Sequence, residues 1–90
     1  MNMFTFPNID MVKTGENIKF LREKNKFTVR DLQEALGFAT TQAIYKWQQG
    51  VTLPSIDNLL ALSYLFRVRI EDILVCTLPT AAQIHFSHAA

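Results

Sequence analysis

The stretch from Thr28 to Gly50, TVRDLQEALGFATTQAIYKWQQG, constrains this chain more than any other. Its punctuation is that of two short helices joined by a tight turn. Thr28 is an N-cap type of residue, and Asp31 stands three positions on, where an acid answers the cap and suits the positive end of a helix. Leu32, Ala35 and Leu36 then share one face at i, i+3, i+4 spacing. Gly37 is placed to end this helix, because glycine takes positive φ at little steric cost. Thr40 or Thr41 caps a second helix whose inward face is Ile44 and Trp47, and Gly50 closes it. The outer face of that second helix carries Thr41, Gln42, Tyr45, Lys46 and Gln49. No core needs them. All are donors, acceptors or cations of the kind that read base edges and phosphates.

This segment resembles the helix-turn-helix of the Cro and phage-repressor family, also called the XRE-type DNA-binding domain. The resemblance continues through the run Trp-x-x-Gly-x-x-x-Pro, Trp47 to Pro54. It extends over Ser55, Asp57 to Leu62, Val68 and Ile70 to Leu74, which look like the family's fourth and fifth helices. It spans residues 14–75, about two-thirds of the chain. The fold class it implies is all-α: a compact five-helix, repressor-like domain with a helix-turn-helix. An N-terminal arm (1–13) and a C-terminal tail (76–90) flank that domain.

The resemblance also implies a site. In the family the third helix enters the major groove. Thr41, Gln42 and Lys46 align with base-contacting positions, and Tyr45 lies beside them. Gln42 carries the amide that suits adenine, and Lys46 suits guanine O6 or N7. Thr40 is the expected phosphate ligand at the start of that helix. Thr28, Lys19, Arg22 and Gln49 complete the expected phosphate contacts. The chain departs from the family at several points. The turn is one residue longer, and the bulkier Gln33 stands where a small residue is usual; the two changes are expected to compensate each other. Val29 replaces a glutamine often used on phosphate. Val51-Thr52-Leu53 lacks the basic residues of some relatives. Arg69 replaces the usual serine cap of the fifth helix, which is expected to weaken its start by up to ~1 kcal/mol.

Ninety residues make one small domain, and 49% apolar content suffices for a core. The charge is only +1, from 9 Lys and Arg against 8 Asp and Glu. Distribution matters more than the sum. Lys13, Lys19, Arg22, Lys24, Lys26 and Arg30 crowd the first third, and Asp57, Glu71 and Asp72 lie toward the other end, so a basic side is expected. The single cysteine, Cys76, excludes an internal disulfide and fits a reducing cytoplasm. No apolar run approaches the ~20 residues that span a bilayer. The opening MNMFTFPNIDMVK lacks a basic n-region and is a poor signal peptide. A cytoplasmic location without membrane contact is expected.

In chain order, residues 1–13 suggest an extended arm that lays apolar side chains on the domain, or one that touches DNA or a second subunit. Thr14 is expected to cap a first helix from Gly15 to about Asn25. Ile18 and Leu21 would face inward there, and Lys19, Arg22 and Lys26 outward. Those cations form either a solvated face or phosphate contacts. Phe27 is placed to staple onto Leu32. Ser55 caps a fourth helix in which both Leu59 and Leu60 are expected in the core. Val68 to Val75 gives a short fifth helix. His85 and His88, three apart with no acid nearby, are not expected to bind metal.

The function expected from all this is a sequence-specific double-stranded DNA-binding regulator, a repressor acting as a homodimer without cofactors. Phe4, Phe6, Val75, Leu78, Ile84 and Phe86 are the apolar material for its dimer surface. The alternative is a protein-interaction module of antitoxin or anti-repressor type. The low net charge and the apolar arm favour that alternative. An enzyme is the least supported reading. The chain has no paired-acid, Cys–His or Ser–His arrangement, and only three glycines.

Overall fold

The structure, a computed structural model, describes residues 6–77. Two short extended segments bring its ends together. β1 (Asn8–Ile9) runs antiparallel to β2 (Cys76–Thr77), with Asn8 opposite Thr77 and Ile9 opposite Cys76. Between them lie α1 (Met11–Lys24), α2 (Val29–Leu36), α3 (Gln42–Gln48), α4 (Ile56–Phe66) and α5 (Ile70–Ile73). The five helices expected are therefore present, and the small β ladder is added to them.

The first helix starts earlier than Thr14. Asp10 is its cap, with Oδ1 accepting from the Lys13 N–H at 2.9 Å. Thr14 is instead fully buried in the first turn and bonded across the fold. Its hydroxyl accepts from Val75 N–H at 2.9 Å and donates to Val75 carbonyl oxygen at 3.3 Å. One turn on, Asn17 Nδ2 donates to the carbonyl oxygens of Asp72 and Ile73, both at 2.9 Å. α1 thus satisfies backbone groups that the end of α5 leaves without helical partners. This is why the chain after α5 returns to the start of α1 and pairs with β1.

Four helices end in the same way. Lys26, Gly37, Gly50 and Arg67 each take positive φ, between 58° and 75°. The residue after each donates its N–H back to a carbonyl five positions earlier: Phe27 to Arg22, Phe38 to Gln33, Val51 to Lys46 and Val68 to Ser63. This bond pattern closes a helix terminus around a left-handed residue. Two of the four positions hold cations rather than glycine, which is why composition alone does not show these ends.

The start of α5 lacks a side-chain cap on its first turn. Arg69 cannot cap as serine does, but Asp72 Oδ2 accepts from the Arg69 N–H at 3.1 Å and from its Nε at 3.4 Å. The acid at the third helical position thus holds the cap residue in place, while Arg69 offers no acceptor to the N–H groups of the first turn as a serine would.

The core is Ile18, Leu21, Leu32, Ile44, Trp47, Leu59, Leu62, Phe66 and Ile73. Phe27 packs against it, and its ring lies 6.4 Å from that of Phe66. Not every apolar residue expected to face inward is in that cluster. Ala35 is exposed, and Leu36 is only partly buried. Leu60 is 61% exposed. The reason lies in α4, which turns Leu59, Leu62 and Phe66 inward. Leu60 follows Leu59 by one residue, about 100° round the helix, and points elsewhere.

Candidate nucleic-acid interface

α2 forms because both its ends are specified locally. Thr28 Oγ1 accepts from Asp31 N–H at 3.0 Å, and Asp31 Oδ2 accepts from Thr28 N–H at 2.8 Å, a reciprocal capping box. Gly37, at φ 72°, ends the helix. The longer turn that follows has its own support. Gln33 Nε2 donates to the Phe38 carbonyl oxygen at 3.2 Å. The amide of Gln33 thus braces the residue that follows Gly37.

The donors that fix Asp31 also change its acidity. The Thr28 backbone N–H, and then its hydroxyl, hold the Asp31 carboxyl below its ordinary value of 3.8. The Arg69 N–H, and then its side chain, do the same for Asp72. A carboxyl whose folded value is depressed stabilises the fold above its unfolded value, and that contribution is lost as pH falls through the folded one. We expect Asp31→Asn and Asp72→Asn to lower stability at neutral pH and to flatten the loss below about pH 4. Denaturation midpoints recorded against pH check this. Variants whose curves parallel the parent's would show that the two caps contribute nothing.

α3 follows the turn. Of the two candidate caps, Thr40 is the one bonded, its hydroxyl accepting from Gln42 N–H at 3.3 Å. Thr41 makes no side-chain cap bond and is partly buried. Ile44 and Trp47 are buried, and Trp47 meets Phe38 edge-on, with centroids 5.7 Å apart. The opposite face carries Gln42, Tyr45, Lys46 and Gln49, all exposed. Their spacing, i, i+3, i+4, i+7, places them in one row along the helix. Thr40, Thr28 and Lys19 are also exposed.

Arg22 does not face outward as expected. Its side chain is 11% exposed. Nε donates to Gln48 Oε1 at 2.8 Å, and Nη1 donates to the Phe27 carbonyl oxygen at 2.9 Å. The guanidinium thus braces α1 and the α1–α2 connection against the end of α3. Sequence reasoning missed this brace. The available signal was Gln48, a polar residue next to Trp47 on the buried side of α3.

Gly15 was missed as well. It is buried in α1 where that helix crosses the end of α3. A Cβ there would lie 2.7 Å from the Gln48 carbonyl oxygen and closer still to that of Trp47. Gly15 and Arg22 therefore set where α3 sits against α1, which is the helix α3 contacts most.

A family profile described as Helix-turn-helix matches residues 18–73. Among solved structures, the chain is similar to the restriction-modification controller protein C.AhdI from Aeromonas hydrophila. The TM-score is 0.63 at 20% identity, over 71% of this chain and 96% of that chain. At that identity the likeness is one of fold. No curated protein matches the chain.

Proposed function

The chain belongs to the helix-turn-helix family of DNA-binding transcription regulators of XRE type, and from that premise we propose that it is a cytoplasmic repressor that reads the major groove with α3. The observation that carries this reading is the row Gln42, Tyr45, Lys46 and Gln49, polar and exposed on the face opposite Ile44 and Trp47.

Gln42 presents an amide that both donates and accepts, which matches adenine N6 and N7. Lys46 donates to guanine O6 or N7. Thr41 and Tyr45 flank them as further base contacts. Thr40, Lys19 and Gln49 lie ready for phosphates. Thr28, exposed at the start of α2, is assigned the same use. Arg22, bonded to Gln48 and Phe27, holds α3 in position instead of reaching the duplex. No step of this activity calls for a cofactor or a catalytic group.

One domain offers few readers, and good base contacts give ~1–3 kcal/mol each. Two copies on a palindromic site double the readout against the competing sites of a genome. We therefore assign the active form as a homodimer.

A second reading is a protein-interaction module on the same fold, favoured by the apolar side chains that α4 leaves exposed. Salt separates the two. Lys19 in each of two domains makes two cationic phosphate contacts, which give a slope of about −1.8 and a roughly tenfold loss of affinity between about 50 and 200 mM salt. Binding that ignores salt over that range would sink the DNA reading and leave the protein-interaction one.

A further inference from the structure

We propose that the exposed stripe of α4, Ile56, Leu60 and Tyr64, is the surface on which a second copy of this chain docks. The two α4 helices would lie antiparallel about a two-fold axis. This rests on the homodimer of the reading above and names its contact face.

The three side chains are 75%, 61% and 85% exposed. At four-residue spacing they form one line along α4, about 12 Å long. The line borders an open groove lined by Leu36, Ala61, Leu65 and Val68. Single exposed apolar residues are ordinary, but a contiguous strip beside a groove marks an interaction site.

The charges around the strip select the occupant. Asp57 lines the groove at the N-terminal end of α4, and Arg67 lines it at the C-terminal end. Neither is in an ion pair among the described residues. Ten residues of helix separate them, about 15 Å. Arg69 and Asp72 also line the groove but are paired with each other at 3.4 Å, so the charge left over is acidic at one end and basic at the other, with the apolar strip between. Such a surface is complementary to its own antiparallel copy. With the axis level with Leu62, Leu60 meets the Tyr64 of the other copy and Asp57 meets its Arg67. The symmetry makes each contact twice. A parallel arrangement would set like charges against each other. A lipid surface would have no use for the acid end.

The dimer surface expected from the sequence is different. Of that set, Leu78, Ile84, Phe86 and Phe4 lie outside the described residues. Val75 is partly buried with its backbone bonded to Thr14. Phe6 is exposed. The α4 stripe owes nothing to any of them.

The test uses the full chain. Sedimentation equilibrium from micromolar to submillimolar concentration gives the dimer constant of the parent and of Leu60→Glu, Asp57→Arg, Arg67→Asp and the Asp57→Arg/Arg67→Asp pair. Leu60 is exposed and aspartate tolerates the left-handed conformation of Arg67, so all four are expected to fold, which melting curves verify. Leu60→Glu should weaken the dimer at least tenfold. Each charge reversal should weaken it, and the double reversal should restore it, because both acid–base contacts are then remade with exchanged partners. A Leu60→Glu protein with the parent's dimer constant would overturn the proposal. So would single reversals without effect, a double reversal that fails to restore the dimer, or a parent that stays monomeric both free and on a palindromic duplex.

The DNA reading is scored separately. Leu60→Glu should bind a duplex carrying one half-site as the parent does. A parent that dimerises through the stripe yet shows no salt-sensitive DNA binding would sink the proposed function and uphold the stripe.

Discussion

Trp47→Ala is expected to destabilise the domain by about 3–5 kcal/mol, the range for truncating a buried large aromatic side chain. Trp47 is 4% exposed, and its ring meets the edge of Phe38 in the turn before α3. α3 has only seven residues, too few to persist by helix propensity. Two fully packed side chains, Ile44 and Trp47, hold it to the body. Removing one leaves a cavity and frees Phe38 from its partner. A domain of this size has stability near the lower end of ~5–15 kcal/mol, so most of the variant would lie close to unfolding at ambient temperature. Trp47→Phe should recover a large part of the loss. Chemical denaturation of the three proteins measures this. An alanine variant within about 1 kcal/mol of the parent would contradict the packing described.

Gly15→Ala should destabilise by about 2–3 kcal/mol, and its sign is the informative part. In an open helix the same change stabilises by roughly 1 kcal/mol, because alanine is the better helix former. Gly15 sits in the interior of a 14-residue helix, so propensity alone predicts a gain. The structure predicts a loss. The added methyl meets backbone carbonyl oxygens of Trp47 and Gln48, which cannot rotate away as a side chain would. Relief requires α1 and α3 to separate, and that weakens the Arg22–Gln48 bond beside them. DNA affinity should fall along with stability, since the displaced element is the helix proposed to read DNA. A stabilised Gly15→Ala variant would show that the two helices do not approach this closely.

The sequence discloses the elements whose causes are local. Thr28, Asp31 and Gly37 fix the ends of α2 within residues 28–37, and the structure has the helix between them. Ile44 and Trp47 set the phase of α3, so its outer row is legible in the sequence. What stayed hidden depends on residues far apart in the chain. Thr14 looks like a cap by its type, and only the position of Val75, 61 residues later, shows why it is buried. Arg22 is one cation among several until Gln48 is brought beside it. Leu60 reads as core because it is apolar and neighbours Leu59. Deciding which of the two faces inward requires knowing where α1 and α3 lie. The left-handed residues Lys26 and Arg67 give no compositional sign, since glycine is the usual marker of that conformation.

The central claim is that the outer row of α3 reads base edges. Selection of bound sequences from random duplex DNA, run in parallel on the parent and on Gln42→Ala, tests it most directly. The parent should yield a palindromic motif. The variant should return the same motif with preference relaxed at one position in each half-site, and should bind the parent's best sequence more weakly by roughly 1–3 kcal/mol. A variant that selects the parent's motif with undiminished affinity would contradict the claim, because Gln42 would then touch no base that matters.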